Sequence, residues 1–89
     1  MSKTIHRREY RRLIDLLRER RIGLGYSQAK VAKALRWSQQ KLSYAESGSR
    51  RLDVLEFLEL ATFLGFTPGK ALDLAHGLLR QRRKRRGPV

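Results

Sequence analysis

The chain has 89 residues, 40% of them hydrophobic, with no cysteine and a net charge of +13 from 21 Lys and Arg against eight Asp and Glu. That length holds one domain with one modest core, the apolar content is that of a globular chain, and the missing thiols exclude disulfides and thiolate metal sites. No apolar run nears the ~20 residues needed to cross a bilayer, and Met1-Ser2-Lys3-Thr4 leads into charge rather than a signal-peptide core, so a cytoplasmic protein without a membrane partner is expected.

Five helical segments follow in order, with no strand. In the first, Tyr10, Leu13, Ile14 and Leu17 recur at i, i+3, i+4 and i+7, one stripe of an amphipathic helix. Arginines 7, 8, 11, 12, 18 and 20 fill much of the remainder. Thr4 is a candidate N-cap, Gly23 weakens the last turn, and Gly25 suits a left-handed stop.

Ser27 then caps a short helix, Gln28 to Leu35, with Val31, Ala32 and Leu35 inward; Lys30 three residues on leaves it without a capping box. Ser38 caps a third helix, Gln39 to Ser47, with Leu42 and Ala45 inward and Gly48 at its end. Asp53 caps a fourth, whose apolar face is expected to be Val54, Leu55, Phe57, Leu58, Ala61 and Leu64, with Glu56 and Glu59 in water and Gly65 as the stop. Thr67 and Pro68, a cap and an N1 proline, open a fifth, with Leu72, Ala75, Leu78 and Leu79 along its stripe. The expected fold is all-α, a compact five-helix bundle.

Charge is unevenly spread over this bundle. Residues 1–51 carry fourteen basic and four acidic residues, a net of +10; residues 52–79 are at −3; the last ten residues return +6. Such self-repulsion is relieved by a polyanion, and nucleic acid gains further from counterion release. A solubility charge or an anionic surface remains the alternative.

The stretch Gln28 to Ser47 says more. Two short helices joined by three residues cross at a steep angle, with Ala32 allowing close approach and Leu42 plugging the corner. Such a pair projects its second helix outward, in the shape that enters a DNA major groove. The outer residues Ser38, Gln39, Gln40, Lys41, Ser43 and Tyr44 offer amides, hydroxyls and a cation, and no carboxylate. A glutamine amide can bond both the donor and the acceptor of an adenine edge.

Over Tyr10 to Leu74 the chain resembles the Cro and lambdoid phage repressor (XRE) type of helix-turn-helix domain. The likeness is carried by the run Arg21 to Ala32, by Ser38-Gln39-Gln40, by Glu46-Ser47-Gly48 and by Glu59 to Gly65. It implies a lambda-repressor-like DNA-binding domain over residues 1–79, followed by a basic tail at 80–89. By the same resemblance, Gln28 holds a phosphate, Gln39 and Gln40 read base edges, and Tyr44 is a further reader. Arg50 and Arg51 meet the DNA backbone, and Arg21 pairs with Glu46. Nothing of the self-cleaving domain of lambdoid repressors is matched, so induction by cleavage is not expected.

Two positions depart from the pattern. Arg36 stands where a left-handed glycine is usual, Ala45 replaces a larger residue, and Trp37 and Tyr44 flank it. Tyr44 therefore has two readings, DNA contact or core.

The expected function is a transcriptional regulator, a repressor binding a palindromic operator in double-stranded DNA as a homodimer. One recognition helix spans too few base pairs for a genome-wide search. Leu72, Leu78 and Leu79 are candidates for the dimer interface or for the core. An antitoxin or adaptor, pairing DNA binding with a protein partner such as a toxin through the fourth and fifth helices, is the second reading. Nonspecific architectural or RNA binding is a third, and leaves the glutamine pair unexplained. Catalysis, a cofactor and a metal are not expected, because His6 and His76 belong to no ligand or base–nucleophile motif. For the tail, phosphate grip, minor-groove insertion and solubility compete, and the absence of an apolar wedge favours the first.

Overall fold

The structure is a computed structural model that describes residues 8–85, with side chains through residue 80. It comprises α1 (Arg8–Gly23), α2 (Gln28–Leu35), α3 (Gln39–Ser47), α4 (Val54–Phe63) and α5 (Pro68–Arg85), and no strand among the described residues. The Thr4 cap expected for α1 lies outside them.

The caps explain the boundaries. The hydroxyls of Ser27 and Ser38 accept the backbone N–H of Lys30 and Lys41, at 3.0 Å each, satisfying donors that the first turns of α2 and α3 leave open. Asp53 and Glu56 form a reciprocal capping box at α4, each carboxylate accepting the other's backbone N–H. Thr67 Oγ1 accepts from Lys70 N–H at 3.2 Å, with Pro68 behind it as the first helical residue. α5 runs past the boundary drawn at 79/80, so the first part of the basic tail extends the helix.

The core is formed by Ile14 and Leu17 of α1, Val31 and Ala32 of α2, Leu42 and Ala45 of α3, Leu52 of the following loop, Phe57, Leu60 and Ala61 of α4, Leu64 at its C-terminal cap and Ala71 of α5. Alanines recur where helices cross, because a small side chain lets two backbones approach. α3 is held from behind by α1 and α2, while α4 packs on α2 and α5.

Two expectations need correction. Around α4, Phe57, Ala61 and Leu64 are buried as expected and Leu58 is half-buried, but Val54 and Leu55, expected on the same face, are 67% and 73% exposed, and Leu60 is buried in their place. The helix is apolar nearly all round, so periodicity alone does not fix its rotation. On α5, Leu72 points outward and Ala71 is the buried residue. Leu79 is exposed as well, whereas Leu78 is half-buried and lines a shallow cleft of about 140 Å³ with Leu13 of α1.

The turn between α2 and α3 keeps the left-handed geometry despite lacking glycine. Arg36 has φ 63° and ψ 35°, and its N–H closes α2 onto Ala32 and Lys33 carbonyls. An L-residue in this region costs about 1–2 kcal/mol. Trp37 N–H donates to the Ala32 carbonyl at 2.8 Å, fixing the corner.

Candidate nucleic-acid interface

α3 divides into two faces. Leu42, Ala45 and Glu46 are buried, whereas Gln39, Gln40 and Ser47 are exposed and Ser43 is half-buried. Tyr44 is 46% exposed, and its hydroxyl accepts a hydrogen bond from Gln40 Nε2 at 3.1 Å across one helical turn. Leu42 and Ala45 fill the inner side, so Tyr44 belongs to the outer face.

Behind this face lies a buried ion pair between α1 and α3. Arg21 Nε and Nη2 donate to Glu46 Oε2 and Oε1 at 2.7 and 2.9 Å, a two-point fork, while Arg21 Nη1 donates to the Tyr26 carbonyl at 2.7 Å. Gln28, half-buried at the start of α2, donates from Nε2 to Glu46 Oε1 at 2.9 Å. The first residue of α2 is thereby tied to the last turn of α3.

Several cations that looked like a DNA footprint are structural. Arg11 Nη1 donates to the Ser47 carbonyl at 2.7 Å and Arg20 Nε to the Leu64 carbonyl at 2.9 Å, so each caps the C-terminal end of another helix. Gly48 and Gly65, both at positive φ, leave room for these guanidinia, which a Cβ would meet.

One carboxylate enters the neighbourhood of α3 from elsewhere in the chain. Glu56, expected in water, has a side chain only 17% exposed, and Lys41 Nζ lies 2.9 Å from its Oε2. Arg50 approaches it at 3.3–3.4 Å. Its pKa falls to about 2, held down first by the Asp53 backbone N–H, then by Lys41 and Arg50, against the opposing effect of burial. Lys41 also stacks on the Trp37 ring, 4.3 Å from its centroid. The Asp53–Glu56 spacing announces the capping box in sequence, but the partnership with Lys41 and Arg50 is tertiary.

The loop after α3 is fixed by its backbone. Ser49 and Arg50 N–H both donate to the Tyr44 carbonyl, at 2.9 and 3.1 Å. Arg51, exposed, lies over the Tyr10 ring at 4.3 Å, and that tyrosine's hydroxyl accepts from Leu52 N–H at 3.0 Å. The structure therefore brings Gln28, Ser38, Gln39, Gln40, Ser43, Tyr44, Arg50 and Arg51 around α3 and its flanking turns, with Lys41 turned to Glu56. Among the described residues no helix is long and apolar enough to cross a membrane, and no group of His, Asp or Glu is placed to hold a metal.

Residues 6–75 match the family model described as a helix-turn-helix domain. Neither the curated proteins nor the solved structures yield a match.

Proposed function

The chain belongs to the helix-turn-helix domain family, and from that premise we propose that it is a sequence-specific transcriptional regulator, a cytoplasmic repressor that occupies a palindromic operator as a homodimer. The observation that carries this reading is the outer face of α3: exposed Gln39, Gln40 and Tyr44, free of carboxylates, on a helix whose inner face is locked by Leu42, Ala45 and the Arg21–Glu46 pair. A rigid element with polar ends outward is what base-edge readout requires.

Gln39 and Gln40 are the base readers. The hydrogen bond from Gln40 to Tyr44 orders that amide before DNA arrives. Gln28, Ser38, Ser43, Arg50 and Arg51 meet the phosphates, whereas Lys41, bridged to Glu56 and stacked on Trp37, braces the start of α3. The basic residues from Arg80 onward add a phosphate grip to the domain formed by residues 1–79. Exposed Leu72 and Leu79 on α5 supply apolar surface for a second copy.

Alanine at Gln39 or Gln40 is expected to weaken binding to the selected site by about 1–3 kcal/mol and to relax preference at one base position per half-site. Titrations on selected and scrambled duplexes measure both. Equal losses on the two duplexes would remove these residues from sequence readout.

A further inference from the structure

Arg36 is the one non-glycine at positive φ among the described residues; the other three such positions are Gly25, Gly48 and Gly65. Left-handed backbone is tolerated by asparagine or aspartate because a short polar side chain can bond locally, a compensation that arginine lacks. Strain of this kind persists where the surroundings hold it, and here the Arg36 N–H and the Trp37 N–H both close onto α2 carbonyls.

The side chain returns nothing to the fold. Arg36 is exposed, and its guanidinium makes no hydrogen bond, ion pair or ring contact among the described residues. Four other cations near α3 are engaged: Lys30 over Tyr26, Lys41 with Trp37 and Glu56, Arg50 with Glu56, Arg51 over Tyr10. No carboxylate occurs in sequence between Glu19 and Glu46, so no local acid neutralises Arg36. It stands two residues before Ser38, the cap of the helix that carries Gln39 and Gln40.

We propose that Arg36 is a DNA-backbone contact, its planar guanidinium taking a phosphate at the edge of the groove that the start of α3 enters. Arginine suits this task because its fork meets two phosphate oxygens at once. The strained turn is then retained for binding rather than for stability. This inference rests on the DNA-binding reading above.

The test uses the full chain with Arg36→Gly and Arg36→Lys, measuring melting without DNA and binding to selected and scrambled duplexes across a salt series. Glycine accepts the left-handed turn without strain, so Arg36→Gly should melt roughly 4–8 °C higher. It should bind both duplexes roughly tenfold more weakly at low salt, with the log–log salt slope shallower by about 0.9. Arg36→Lys should keep the wild-type slope and melting temperature. An Arg36→Gly chain that binds with unchanged affinity and slope would overturn the contact. So would a fall in its melting temperature alongside the binding loss, since weakened folding would then explain it. A wild-type chain that binds neither duplex would overturn the functional reading itself, a result distinct from either.

Discussion

Glu46→Gln is expected to lower the unfolding free energy by about 3–5 kcal/mol, the cost of leaving a buried guanidinium without its counter-charge. The side chains of Arg21 and Glu46 are 9% and 6% exposed, and they meet through two hydrogen bonds of 2.7 and 2.9 Å. Arg21 has nowhere to go: its third donor is fixed on the Tyr26 carbonyl, and the helix around it is packed. The substitution also misdirects Gln28, whose amide donates to the same carboxylate. Domains of this size are stable by only about 5–15 kcal/mol, so the loss is a large part of the whole. Replacing both partners by apolar residues, Arg21→Met with Glu46→Leu, should recover most of it, because the pair's desolvation cost goes with its attraction. Urea melts of the single and double variants decide. Unchanged stability in both would mean that the pair does not hold α3.

Leu42→Ala should cost about 2–5 kcal/mol. Leu42 is fully buried at the centre of the inner face of α3, where α3 meets α1 and α2. Ala32 and Ala45, buried in the same cluster, are already small and cannot extend into the space left behind. The hole lies directly beneath the proposed readers, and the recognition helix would lose its fixed distance from α2. Leu42→Met, which nearly conserves volume, should cost less than about 1.5 kcal/mol and leave binding intact. Denaturant melts of the two variants separate a volume effect from a general intolerance of substitution; a Met variant as unstable as the Ala variant would contradict the packing explanation.

The helix-turn-helix was legible because its signals are local. Ser27, Ser38 and Gly48 punctuate α2 and α3 within a few residues: the two serines cap the starts of the helices and Gly48 ends α3. The Arg21–Glu46 pair came from family resemblance, since no pattern of charges 25 residues apart dictates an ion pair. Tyr44 has two readings in sequence because Ala45 leaves a volume unassigned; in the structure Ala45 is buried and the tyrosine stays outside, 46% exposed.

What stayed hidden was tertiary. The run Val54–Phe63 carries too few polar residues to mark a wet side, so its rotation is set by what α2 and α5 present. On α5 the crossing selects Ala71 over its larger neighbour Leu72. The positive charge misled in a similar way. Arg11, Arg20 and Arg21 look like any other cation in a basic stretch, yet each is spent on a carbonyl or carboxylate of another segment. The reverse holds at Glu56, an acid on an otherwise exposed turn that gathers Lys41 and Arg50.

Selection from a pool of random duplexes by the full chain tests the central claim most directly. A symmetric dimer reading DNA through α3 should enrich an inverted repeat whose half-site centres lie about 10–10.5 base pairs apart, or a multiple of that. Retention of every duplex alike, with no enriched sequence and no symmetry, would contradict it.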